Sequence, residues 1–170
     1  APIGAIREVP RLMQELKQDP WPLLAAYGID EARLTERRSP VPATLLGQVL
    51  EAAAIKTGCP HFGLLVGEAA TFDNVGELRF LALNASTARQ AVDHLVRFIY
   101  LMHPVLRVTA RHEQAYTSFS LTLVEDIPGA EQVLLAYTAS FVGALRTVMG
   151  SIWKPSMVHL AMRRPSLVAP

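Results

Sequence analysis

Apolar residues in the first third of the chain recur at helical spacing. Asp19-Pro20 offers an N-cap followed by a proline at the first helical position. Trp21, Leu23, Leu24 and Tyr27 follow, and Gly28 closes this short helix. Ile29 to Pro40 reads as a polar connection containing Arg33, Glu36, Arg37 and Arg38. A second helix is predicted from about Pro42 to Thr57, with Leu45, Leu46, Val49, Leu50 and Ala53 as its stripe and Gly58 as its stop. Then comes HFGLLVGE, from His61 to Glu68. Phe62, Leu65 and Val66 fall at helical spacing between turn-like Gly58-Cys59-Pro60 and Phe72-Asp73-Asn74, so His61 to Ala70 is predicted as a short docking helix.

The pattern changes at Gly76. Glu77 to Leu83 is strand-like, and Ser86 can cap a helix from Thr87 to Met102 that buries Ala88, Ala91, Val92, Leu95, Phe98, Ile99 and Met102. His103-Pro104 ends it. Leu106 to Glu113 alternates, with Leu106, Val108 and Ala110 against Arg107, Thr109 and Arg111. Tyr116 to Val124 does the same, with Phe119, Leu121 and Leu123 against Ser118, Ser120 and Thr122. A long helix is predicted from about Ala130 to Met149, stopped by Gly150, and a last strand from Ser156 to Arg163. Strand, helix, strand, strand, helix, strand is the order of the ferredoxin-like unit. The predicted class is therefore α+β: N-terminal helices, then an antiparallel βαββαβ sheet with two packed helices. One domain over residues 1–170 is expected, with a helical part over 5–70 and a βαββαβ part over 76–164.

Composition narrows the functional classes. The chain is 51% hydrophobic and 18% charged, with a mean hydropathy of +0.25. That excess, spread over many segments, predicts a packed interior plus a self-association face. The longest apolar stretch, Val133 to Val148, reads as too short for a membrane span and contains Arg146. The net charge is +1, and the basic residues are scattered, without the stripe that a nucleic-acid surface needs. Cys59 stands alone, so no internal disulfide forms. The N-terminus lacks a signal-peptide pattern. The expected location is the cytoplasm.

Candidate chemistry is sparse. His61 and Glu68 are about 10 Å apart along a helix by its rise per residue, too far for one metal or a direct hydrogen bond. Gly63 and Gly67 match no phosphate loop and read as close-packing positions. Cys59 reads as a buried thiol. His94 falls on an exposed helix face, His103 reads as a helix-end residue favoured by the dipole, and His112 as a turn residue. No two histidines have zinc-ligand spacing. Ser118 and Ser120 lie in no nucleophile elbow, and Glu125-Asp126 is a loop pair. No catalytic residue, metal or cofactor is expected, and a small enzyme working from the polar sheet face is the alternative reading. A second alternative is an oligomerisation module without ligand.

One arrangement suits a small-molecule pocket. Arg79, Arg111, Ser118, Ser120 and His159 are predicted to project from one sheet face, with Tyr100 and Tyr116 at the rim. Two arginines would suit a carboxylate-bearing effector. The long helix is apolar nearly all round and must bury more than one face; Leu134, Tyr137, Phe141 and Leu145 are the candidate dimer interface.

The order of three segments carries a resemblance. They are LLAAYGID, then PVPATLLGQVLEAAAIKTGCPHFGLLVGE, then VGELRFLALNASTARQAVDHLVRFIYLMHPVL. Together they resemble the arabinose-binding-like N-terminal domain of AraC-type transcriptional regulators. The family's "TGDPxFGLxxG" segment is similar to Thr57 through Leu64, its strand-to-helix step to Val75–Leu78 and Ser86–Ala91, and its "LxRYxxL" helix to Leu95 through Phe98. The resemblance runs from about Leu23 to Arg164. Cys59 stands where the family pattern has an acidic residue. The resemblance implies a domain that senses a small-molecule effector and forms a homodimer. DNA contact would belong to a C-terminal pair of helix-turn-helix motifs outside this sequence.

Overall fold

The computed structural model describes residues 4–36, 41–70 and 84–160. Eight helices and one hairpin lie within them. They are α1 (Gly4–Arg7), α2 (Val9–Glu15), α3 (Trp21–Ala26), α4 (Glu31–Thr35), α5 (Ala43–Thr57), α6 (Phe62–Ala69), α7 (Ala88–Met102), β1 (Leu106–His112), β2 (Thr117–Leu123) and α8 (Ala130–Met149). The class is α+β. The predicted strand Glu77–Leu83, and Arg79 with it, lies outside the described residues.

Local chemistry explains most boundaries. Gly58 takes φ 65°, the left-handed conformation that closes α5, and its N–H and that of Cys59 return to the carbonyls of Ile55 and Ala54. The predicted polar connection contains a helix, α4. Asp30 caps it by accepting a hydrogen bond from the Arg33 N–H at 2.8 Å. Thr87, rather than Ser86, caps α7: its hydroxyl accepts from the Gln90 N–H while the Gln90 side chain accepts from the Ser86 N–H. This is a variant of the capping box in which the glutamine three residues beyond the cap bonds the N–H just before it, and only Thr87 has that spacing. Ala88 is exposed in that first turn instead of buried.

β1 and β2 pair antiparallel, with Leu106 opposite Leu123, Val108 opposite Leu121 and Ala110 opposite Phe119. These six form the hairpin's inner face, which packs on α7 and α8; Phe119 meets Phe141 with ring centroids 5.3 Å apart. The predicted last strand does not form over Ser156–Leu160, where no ladder is made, and residues 161–163 lie outside the description. The alternation there mimics a strand, but an extended segment becomes one only by pairing.

α8 is the hub. It packs against α5, α6, α7 and β2, with its closest partner α6. Gly63 and Gly67, four residues apart on α6, face the α8 backbone at Gln132 and Ala136. Any side chain at either glycine would overlap those carbonyls, so the two helices touch backbone to backbone. Gln132 locks the junction: its amide oxygen accepts from the Gly63 N–H at 2.7 Å, and its amide nitrogen donates to the Pro60 carbonyl at 2.8 Å. HFGLLVGE is thus a packing element. α8 is long and apolar enough to cross a membrane by length and composition, which corrects the expectation that the stretch is too short. Within this chain part of its apolar surface is covered by four neighbouring elements, and its buried residues include Val133, Leu135, Tyr137, Phe141 and Leu145.

Candidate functional site

The hairpin's outer face gathers part of the expected site. Arg111 lies opposite Ser118 and Thr109 opposite Ser120, all exposed. Tyr116 stands 64% exposed in the connection between the strands. His159 lies in the exposed C-terminal segment, with its ring beside the Met157 sulfur. Tyr100 belongs elsewhere, on the outer surface of α7. The structure therefore brings Arg111, Ser118 and Ser120 together and sets Tyr100 apart from them.

Tyr100 instead lines a groove of about 400 Å³ between α7 and the start of β1. Three features shape it. His103 and Pro104 turn the chain sharply, with the Leu106 N–H donating back to the His103 carbonyl at 2.9 Å. Ile99, Leu106 and Val108 are buried and form the floor. Arg97 from α7 and Arg107 from β1 reach it from either side, and Val124 closes the end where its N–H donates to the Val105 carbonyl. The volume falls in the range of small-molecule sites, roughly 300–1,000 Å³. Sequence reading placed Arg107 on the polar strand face and did not single out Arg97. Their placement on one groove depends on how the turn at Pro104 folds β1 back along α7, which no residue spacing states.

Of the four interface candidates, Tyr137, Phe141 and Leu145 are buried in the chain's own core. Leu134 is half-buried. The physical reason is the central position of α8: the faces expected to meet a second copy meet α5, α6, α7 and β2.

The histidines divide by environment. His112, at the end of β1, has its Nδ1 3.0 Å from the Thr117 hydroxyl and its Nε2 3.4 Å from an Asp93 carboxylate oxygen, which ties the hairpin to α7. His94 is half-buried with its ring tilted against Phe98, rather than fully exposed. His103 caps the end of α7, yet burial lowers its pKa from 6.5 to about 4. It is therefore neutral at pH 7 and not a cation favoured by the helix dipole, because desolvation outweighs that attraction here. Tyr137, beside it, is pushed up to about 12 by burial. Cys59 is buried. Among the described residues no group of three His, Cys, Asp or Glu side chains could hold a metal ion.

Comparison with known proteins places this geometry. The family model described as the arabinose-binding domain of AraC transcription regulators, N-terminal, matches residues 18–170. The chain belongs to this family. It is also similar to the HTH-type transcriptional regulator VirS of Mycobacterium tuberculosis, in strains CDC 1551 / Oshkosh and ATCC 25618 / H37Rv. The identity is 28% over 139 residues, covering 81% of this chain. The match spans 40% of the length of VirS. In this AraC-type domain the segment with HFGLLVGE packs α6 against α8.

Proposed function

We propose that this chain is the effector-sensing part of a bacterial AraC-type transcriptional regulator. In this reading it binds a small molecule in the cytoplasm, forms a homodimer, and controls DNA binding by a helix-turn-helix domain such as the name of VirS implies. It carries out no reaction itself. The observation that carries the reading is the family match over nearly the whole chain. The hairpin face with Arg111, Ser118 and Ser120 supplies polar groups for a ligand, and Tyr116 stands within the connection beside it. Self-association draws support from exposed Met149, Ile152, Met157 and Val158, at and beyond the end of α8, because large apolar side chains in such density favour a partner surface.

Effector binding would act by favouring one arrangement of the dimer, and its effect is bounded by its differential affinity for the two arrangements. Thermal denaturation with a panel of L-arabinose, amino acids and organic acids tests the sensor, and sedimentation tests the dimer. At least one compound should raise the Tm in proportion to the logarithm of its concentration above Kd. A chain that sediments as a monomer and is stabilised by nothing in the panel would count against the whole reading.

A further inference from the structure

The groove between α7 and β1 carries charge that the fold does not use. Arg97 and Arg107 line it from two different elements, and both are exposed. Among the described residues neither guanidinium joins an ion pair; Arg97 only lies 5.3 Å from the centroid of the neighbouring Phe98 ring. Between them runs an apolar floor of Ile99 and Leu106, with Tyr100 standing 55% exposed at the rim. An apolar strip alone would accept neutral molecules. Two unpaired cations at its edges add a selection by charge, and the guanidinium fork matches a carboxylate in a paired geometry.

We propose that this groove binds a small organic acid with an apolar body. Its carboxylate is held by Arg97 and Arg107, and its body lies on Ile99 and Leu106 beside the Tyr100 ring. This inference rests on the reading of the chain as a small-molecule sensor and adds the ligand class. It also moves the anion contact away from Arg111, Ser118 and Ser120 on the outward sheet face. A ligand held from both sides adds a second bridge between α7 and β1, which already pack together through the hairpin's inner face and are linked by the turn at Pro104 and the His112–Asp93 contact. Occupancy therefore stiffens the path from the groove to the hairpin.

Isothermal calorimetry at low ionic strength tests this with 4-phenylbutyrate, against 4-phenylbutanol and 4-phenylbutylamine as neutral and cationic counterparts. The acid should bind saturably, the alcohol about tenfold more weakly, and the amine more weakly still. Arg97→Gln and Arg107→Gln should each weaken the acid by about 3- to 10-fold, as expected for charge-assisted contacts at a partly exposed site, and leave the alcohol unchanged. Arg89→Gln, at an exposed arginine of α7 outside the groove, is the control and should leave both unchanged. If Arg111→Gln weakens the acid and the groove variants do not, the anion sits on the sheet face; the groove proposal falls and the sensor reading stands. Equal binding of acid and alcohol, or no saturable binding of the acid, also overturns the groove proposal. The sensor reading is judged separately, by the wider ligand panel and the sedimentation result.

Discussion

The imidazole of His103 meets the phenol ring of Tyr137 edge to face, with centroids 4.9 Å apart and planes inclined at 67°. One ring ends α7 and the other lies in the middle of α8, so the contact joins the two helices that back the hairpin. Among the described residues neither His103 Nδ1 nor the Tyr137 hydroxyl has a hydrogen-bond partner. The pair holds together by ring packing, and its polar atoms are a cost to the fold.

That cost sets a pH dependence. His103 has a folded pKa of about 4 against an ordinary value of 6.5, because burial disfavours the charged ring. The folded state therefore refuses a proton that the unfolded chain accepts between these values. Stability from this group is fully present above pH 6.5 and is lost as pH falls towards about 4, at up to about 1.4 kcal/mol per pH unit. Urea denaturation of the natural chain and of His103→Phe at closely spaced pH values isolates the effect. The variant should show the shallower slope across that window; parallel curves would mean that His103 titrates alike in both states.

The Tyr137 hydroxyl makes the opposite kind of prediction. It is buried without a partner, and burial pushes its pKa up to about 12. Tyr137→Phe keeps the ring against His103 and removes only the unsatisfied group. Such a change should leave stability unchanged or raise it by about 1–2 kcal/mol, since a lone buried polar group costs roughly that much. The urea midpoint at pH 8, above the window in which His103 titrates, checks it. A loss of stability would reveal a hydrogen bond to the hydroxyl.

The balance between what was legible in the sequence and what was not has a physical pattern. α5, α6, α7, the hairpin and α8 were all readable, because each carries its own periodicity and a local stop such as Gly58 or Gly150. α4 was hidden because its five residues are mostly polar, and only Asp30 three places before Arg33 betrays its start. The strand-like alternation of Ser156 to Leu160 misled, since pairing is a tertiary property. Side-chain partnerships were harder still. Arg97 and Arg107 line one groove from either side of a turn, and His103 and Tyr137, 34 positions apart, meet between two helices, so neither pair leaves a spacing to recognise. The reading of α8 failed for a related reason. All-round apolarity says that every face must be covered, but not whether by a second copy or by the same chain.

Glycines in helices separate packing from propensity. A Cβ at Gly67 would strike the Ala136 carbonyl and lie 2.7 Å from the Ala139 Cβ, and neither backbone nor a methyl group can swing aside. Gly143, on α8 itself, has open space where its Cβ would stand. Gly67→Ala should therefore cost about 2–3 kcal/mol by forcing α6 away from α8. Gly143→Ala should gain about 0.5–1 kcal/mol from helix propensity alone. Thermal denaturation of the two variants side by side reads the difference. Similar shifts in both would show that α6 and α8 do not meet backbone to backbone.

Gln132 is the buried polar residue of the described core, and its role is to satisfy two backbone groups that α6 cannot satisfy itself. The Gly63 N–H lies in the first turn of α6, where no carbonyl precedes it at helical distance. No side chain caps that end, since His61 makes no such bond. The Gln132 amide oxygen takes the place of a cap, and its NH₂ uses the Pro60 carbonyl just before the helix. Gln132→Met preserves length and apolar volume but offers neither bond. It strands a buried N–H and a carbonyl together, so it should cost about 2–6 kcal/mol, from about 1–3 for each group. The damage should be directional. Amide exchange should accelerate first at Gly63 and along α6, with α7 and the hairpin protected until global unfolding, because those elements contact α8 through other residues. Uniform acceleration through the whole chain would mean that Gln132 supports the core at large rather than the start of α6.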